Sequence, residues 1–271
     1  MELGQSLPKF RAQGLGVAAI SYDRPEVLRH FSERMGGFPF PLLSDEGSTV
    51  IRAFGIFNHN IPEGHEWHGI PFPGTFLVDE NGIVRAKYFE EMHRQRYTAD
   101  SILVREYGAS GGKRVEVTTD HLRLVAFPAQ DVVSRGNRVT LALDLDLPPR
   151  MHVYAPGVRG YRAVVVEVDA HPSLLAHETD FPEPEFLHLE AIKETVPVYH
   201  GRVRILKDVT ISPRFRDEKL SIPLTFSYQA CDDKVCYAPS QVKFALEVAL
   251  VPHDSERVPE ALQKKKSGSD E

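Results

Sequence analysis

Both cysteines of the 271-residue chain stand in one short stretch, Ala230-Cys231-Asp232-Asp233-Lys234-Val235-Cys236-Tyr237-Ala238-Pro239. Cysteine used as core filler would be scattered, and a zinc site would need further soft ligands nearby. Two thiols this close most simply bond to each other. A bridge closing so short a loop stabilises weakly, roughly 2 kcal/mol against almost 5 for a long loop. That economy favours redox chemistry over stapling; a local structural disulfide is the competing reading. Asp232 and Asp233 would raise the thiol pKa values and Lys234 would lower them, so strongly acidified thiols are not expected. Such a pair suits a recipient or relay, attacked by a partner's thiolate.

Other candidate chemistry is thinner. His59, His65 and His68 crowd the loop Asn58-His59-Asn60-Ile61-Pro62-Glu63-Gly64-His65-Glu66-Trp67-His68-Gly69. Their spacing matches no standard metal site, so the loop reads as solvated, and no metal or other cofactor is assigned. Trp67, the single tryptophan, reads as the loop's packing anchor. Glu90 and Glu91 read as a solvated pair.

These residues need elements to hold them. Hydrophobic residues make up 42% and charged residues 26%, enough for a buried core. The formal net charge of −6 argues against a nucleic-acid partner, the one basic block being Lys264-Lys265-Lys266. No apolar run is long enough to insert in a membrane, and "MELGQSLPKF" lacks the apolar core of a signal peptide. The length suggests two domains.

Residues 1–107 alternate helix and strand signals in the order α β α (β) α β β α, including a helix over "RPEVLRHFSERMG" capped by Asp23 and a hairpin turning at Glu80-Asn81-Gly82. Residues 108–114, "GASGGKR", read as a linker. From 115 to 252 the period changes to two, in "VEVTTDHLRLVAF", "RVTLALDLDL", "RAVVVEVDA", "RVRILKDVTIS", "LSIPLTFSYQA" and "QVKFALEVALV", the pattern of an antiparallel sandwich. Residues 253–271 are polar and are expected to be a disordered tail.

Two resemblances sharpen this reading. "LGVAAISYDRPEVLRHFSERMGGFPFPLLSDEGSTVIRAFGI" with "IPFPGTFLVDENGIVRAKYF" resembles the peroxiredoxin branch of the thioredoxin superfamily, the alkyl hydroperoxide reductase and thiol-specific antioxidant group. The resemblance implies an α/β thioredoxin-like domain. It makes Pro73, in Phe72-Pro73-Gly74-Thr75, the counterpart of a cis proline that leaves the preceding backbone free to dock a partner. The family's reactive cysteine follows a first strand, at a helix N-terminus that lowers its pKa. This chain opens inside what looks like that helix, without the strand or the cysteine. The domain is therefore expected to be incomplete, through a missing N-terminal stretch or through degeneration.

The second resemblance lies in Phe226-Ser227-Tyr228-Gln229-Ala230-Cys231 and Cys236-Tyr237-Ala238-Pro239. It is similar to the N-terminal domain of DsbD-type thiol:disulfide interchange proteins. That implies an immunoglobulin-like sandwich whose cysteines exchange with thioredoxin-like proteins and with a membrane-embedded interchange partner, in a periplasmic or otherwise extracytoplasmic setting. Met151 to Gly157 resembles the family's aromatic segment near the site, and Val196 to Gly201 falls where the family has a cap loop. Tyr199 is then the expected shielding ring, with Tyr154, Tyr228 and Tyr237 as support. Pro197 and Val198 replace the acidic cap residues. By the same resemblance Cys236 forms the mixed disulfide and Cys231 resolves it.

The expected function is thiol–disulfide exchange through Cys231 and Cys236, coupled to the redoxin-like domain. Two alternatives stand beside it. One is a peroxiredoxin-type antioxidant whose reactive cysteine lies upstream. The other is a non-enzymatic interaction module with a structural disulfide.

Overall fold

The computed structural model describes residues 2–89, 95–189, 193–253 and 259–263. Glu90, Glu91 and Lys264-Lys265-Lys266 lie outside them. Two compact units result, one bounded by Met1–Ala99 and His253–Glu271, the other by Asp100–Pro252.

The first unit runs α1 (Glu2–Ala12), β1 (Ala19–Ser21), α2 (Pro25–Arg34), β2 (Leu42–Ser44), α3 (Thr49–Ala53), β3 (Gly74–Val78) and β4 (Val84–Phe89). This is the order the sequence predicts, and the region is thioredoxin-like. Pro25 opens α2, where its fixed φ suits the first turn and no N–H is needed. Arg24, not Asp23, is the N-cap residue; the Asp23 carboxylate instead accepts the Ser21 hydroxyl at 2.6 Å. Asp45 starts α3 by accepting Thr49 N and Ile51 N at 2.9 and 2.8 Å. At the β3–β4 turn Asp79 Oδ1 accepts Asn81 N and Ile83 N, both at 2.9 Å.

β1 pairs in parallel with β2, and β3 pairs antiparallel with β4. Among the described residues these are separate two-stranded ladders. Ile20 and Leu43 remain 43% and 46% exposed on β1 and β2.

α4 (Ala99–Tyr107) leads into the second unit. From Asp100 onward its side chains bind the β-rich part: Ser101 Oγ accepts Thr140 N at 2.8 Å, Arg105 pairs with Asp208 and Asp180, and Val104 enters the main core. The stretch read as a linker is pinned as well. Lys113 N donates to Asp131 at 2.6 Å and Gly112 N to the Pro128 carbonyl at 2.7 Å. A Cβ on Gly111 would collide with that carbonyl, and one on Gly112 with the Asp131 carboxylate, so glycine is required by close approach.

The strands of this unit are β5 (Val115–Thr118), β6 (Arg123–Pro128), β7 (Val132–Ser134), β8 (Arg138–Asp146), β9 (His152–Tyr154) and β10 (Val165–Val168). They continue with β11 (Leu174–Asp180), β12 (Glu185–Leu189), β13 (Glu194–His200), β14 (Arg202–Ile211), β15 (Lys219–Tyr228), β16 (Ala230–Cys231) and β17 (Ser240–Val251). A 3-10 turn follows at Glu260–Leu262, within the stretch expected to be a disordered tail.

One sheet has the order β11-β14-β8-β6-β5 and another β10-β15-β17-β7. Their inward residues, among them Phe127, Leu143, Ile205, Leu224 and Phe226, are fully buried in one continuous core, as in an immunoglobulin-like sandwich. "VEVTTDHLRLVAF" is two strands, not one, because Thr119 Oγ1 accepts His121 N and Leu122 N and turns the chain. A third ladder, β12-β13-β9-β16, carries Cys231. The alternation in its strands is short or absent, and the period-two reading did not find it.

Candidate redox site

β15 and β17 pair in register from Lys219↔Ala249 to Tyr228↔Ser240. Gln229 to Pro239 leave this hairpin and cross to the third ladder, where Cys231 pairs with His152. Cys231 and Cys236 face each other as an antiparallel bridge, joined as a disulfide, with Cα atoms 4.1 Å apart. The four residues between them form a tight turn in which Asp232 N donates to Val235 O at 2.9 Å.

Local chemistry explains why the loop holds this shape. Asp232 Oδ1 accepts Lys234 N and Val235 N, each at 2.7 Å, and Oδ2 accepts the Tyr237 hydroxyl at 2.8 Å. The backbone hydrogen bond from Lys234, then those from Tyr237 and Val235, hold this carboxyl below its usual range. Gln229 clamps both flanks: its Nε2 donates to Tyr237 O at 3.2 Å, and its Oε1 accepts Arg162 N at 3.0 Å. Tyr237 N returns to Ala230 O at 2.9 Å.

The two sulfurs are unlike. Cys231 is 1% exposed, whereas Cys236 is exposed. Cys231 packs in an apolar cluster with Tyr154, Val196 and Val198, flanked by Tyr161, Leu187 and Leu189. The Tyr154 hydroxyl lies 3.2 Å from Cys231 Sγ and 3.4 Å from Cys236 Sγ; a disulfide has no proton, so the phenol donates. Burial, then the neighbouring Tyr161 and Glu194, push its pKa up to about 12, so the donor proton is retained at any working pH. Tyr161 stacks on Tyr154 with ring centres 4.3 Å apart.

The expected tyrosines therefore play different parts. Tyr154 touches both sulfurs and Tyr237 braces the turn. Tyr228 is buried in the main core, its hydroxyl 2.9 Å from Thr119 Oγ1. Tyr199 is not beside the cysteines: β13 alternates, sending Val196 and Val198 to the cysteine cluster and Tyr199 into the main core, where its hydroxyl donates to Pro182 O at 2.8 Å. The stretch expected as a cap loop is this strand, and the apolar cover comes from the β12–β13 hairpin together with Tyr161.

Three neighbours escaped the sequence reading. His121, from the β5–β6 turn, lies against Tyr237 with ring centres 4.5 Å apart. Tyr161 sits in an irregular stretch with no periodic signal. His152 is 6% exposed, and among the described residues its Nε2 has no hydrogen-bond partner. It stands in Met151 to Gly157 as one histidine ahead of Tyr154, with no spacing signal of its own.

In the first unit Pro73 begins the β3 approach, half-buried, and its peptide bond is trans. The amide of Phe72 is already engaged, donating to Ile56 O at 2.7 Å, so the backbone expected to be free for docking is occupied. Trans is the intrinsically favoured state of an X–Pro bond. Among the loop histidines, His65 Nδ1 accepts Trp67 N at 3.1 Å and His68 Nδ1 lies 3.2 Å from Ile61 O. Trp67 is 43% exposed and meets His65 edge-on, which is less than a buried anchor.

Comparison with known proteins follows the same division. Residues 1–87 match the AhpC/TSA family, and residues 123–248 match the family described as thiol:disulfide interchange protein DsbD, N-terminal. Alkyl hydroperoxide reductase E of Mycobacterium tuberculosis is 35% identical over 106 residues, covering 37% of this chain and 64% of its own. The chain spans about half to two thirds of the length of such curated relatives. Among solved structures, the N-terminal periplasmic domain of ScsB from Proteus mirabilis aligns with 49% of this chain and 49% of its own at 16% identity and a TM-score of 0.36. The reduced N-terminal domain of Neisseria meningitidis DsbD aligns with 40% of this chain and 77% of its own at 18% identity and a TM-score of 0.29. A redoxin-like region and a DsbD-like domain on one chain support thiol–disulfide redox activity in general.

Proposed function

We propose that this protein relays electrons by dithiol–disulfide exchange, with Cys236 as the sulfur that joins the partner and Cys231 as the one that leaves and resolves. The observation that carries the reading is the asymmetry of the pair, one cysteine buried and one exposed. An incoming thiolate attacks at the exposed cysteine, where access is open, rather than at the buried one. It forms a new bond to Cys236 Sγ, the Cys231–Cys236 bond breaks, and the electron pair moves to Cys231 Sγ. The Tyr154 hydroxyl, already beside that sulfur, then hydrogen-bonds the nascent thiolate and stabilises it.

The partner is a thioredoxin-like protein or a membrane-embedded interchange protein. The redoxin-like region on the same chain is coupled to the pair by tethering, which raises effective concentration. The test is trapping. Cys231→Ser, which leaves Cys236 free, should accumulate a mixed disulfide with a thioredoxin on non-reducing gels, and Cys236→Ser should trap much less. The reverse order of trapping would exchange the two roles.

A further inference from the structure

Buried imidazoles are neutral and usually hydrogen-bonded. His152 is an exception, 6% exposed and with an Nε2 that has no partner among the described residues. Its place in the ladder is what makes it chemical. On one side it is the register partner of Cys231, on the other of His200. Directly opposed residues share a face of the sheet, with Cβ atoms roughly 5 Å apart. The face therefore carries a row, His200, His152, Cys231, that runs from surface to buried sulfur. Beyond His200 the row continues to Glu185, whose Oε2 lies 3.2 Å from His200 Nε2. An open groove of about 690 Å3 is lined by His152, His200 and Glu185, and reaches Asp233 of the cysteine turn.

We infer that His152 takes the proton of Cys231 when that thiol closes the disulfide, and that His200 and Glu185 pass it to solvent. The inference rests on the exchange reading above and adds the proton path that reading lacks. In the closing step Cys236 is bonded to the partner's sulfur and Cys231 is a buried thiol. Nε2 of neutral His152 accepts the Cys231 proton. The thiolate bonds to Cys236 Sγ, the bond from Cys236 to the partner breaks, and its electron pair leaves on the partner's sulfur. The partner's cysteine is reduced, the pair is oxidised, and the imidazolium returns its proton through His200. In the opposite direction the same path delivers a proton to the leaving Cys231 thiolate.

The surrounding groups are consistent with a base. Burial holds His152 below the ordinary imidazole pKa, His200 across the ladder adds to this, and Asp233 and Asp232 of the turn oppose it. Tyr154 on the same strand stays protonated, its ring 5.5 Å from the imidazole. Arg150, just before β9, is drawn 3.8 Å from Asp233. An accepting lone pair is thus kept free at neutral pH, where a protonated imidazole could not serve.

The test uses the reduced full chain and oxidised glutathione, quenched with acid at intervals and read by mass spectrometry between pH 5 and 9. The glutathione adduct forms on Cys236, and its loss reports closure by Cys231. His152→Gln should slow closure about tenfold to a hundredfold at neutral pH and remove the imidazole limb of the profile. Adduct formation in Cys231→Ser should stay within about twofold when His152→Gln is added. His200→Gln, at an exposed position, should slow closure less and displace the limb. Closure by His152→Gln at the wild-type rate with the wild-type profile overturns the inference. Should His152→Gln fail to fold by circular dichroism, wild-type profiles in both His200→Gln and Glu185→Gln overturn it equally. A wild-type pair inert toward oxidised glutathione sinks the exchange reading, and the relay with it; closure that ignores His152 sinks the relay alone.

Discussion

The redoxin-like unit and the sandwich are built to different standards of closure. The sandwich buries Leu143, Ile205, Leu224 and Phe226 completely, between sheets of five and four strands. In the redoxin-like unit, two-stranded ladders leave Ile20, Leu43, Val78 and Val84 between 43% and 46% exposed. Both cysteines lie in the better-closed unit. The packed sheet face holds Cys231 in close-packed, dry surroundings while Cys236 meets solvent. The pattern of a redoxin can persist in helices and strands without the same depth of core.

The contrast can be broken most directly by native-state hydrogen exchange. Amides of β8, β14, β15 and β17 should exchange on the order of a thousandfold more slowly than those of β1 to β4, since exchange follows local opening free energy. Equal protection would show that the exposed apolar strands cost nothing. Next in size is a pair of substitutions. Leu143→Ala, in the sandwich core, should cost about 3 kcal/mol in urea unfolding followed by circular dichroism. Leu43→Ala, on exposed β2, should cost under about 1 kcal/mol. The single tryptophan lies in the redoxin-like unit, so its fluorescence should report a transition that does not coincide with the circular dichroism.

The smallest effect sharpens the chemistry. Tyr154→Phe keeps the ring and removes the hydroxyl beside both sulfurs. Reduction of the disulfide by dithiothreitol should slow about tenfold, as a lost hydrogen bond to a charged group implies. Tyr199→Phe, whose hydroxyl serves Pro182 instead, should leave that rate unchanged. Equal effects from the two would mean that the hydroxyl at the sulfurs is not what matters.

Much of this was readable from the chain. Helix and strand order in the first unit follows from apolar spacing, a proline at the start of α2 and Asn-Gly at the β3–β4 turn. The change to period two marks the sandwich, and the hairpin cysteines follow from their separation alone. Local signals of this kind act within a few residues, and a linear sequence displays them directly.

What tertiary structure decided was the third ladder and everything that depends on which face a residue takes. Val198 and Tyr199 are neighbours in sequence, yet one meets the cysteines and the other the main core, because successive strand residues point to opposite faces. The sulfurs are five positions apart and share one turn, yet one is buried under β12, β13 and Tyr161 while its partner is exposed. His152 looked like one polar residue before a valine; pairing with strands some fifty and eighty residues away set it between His200 and Cys231. Composition and spacing determined that this chain carries one bonded cysteine pair, and the register between distant strands decided which groups would attend it.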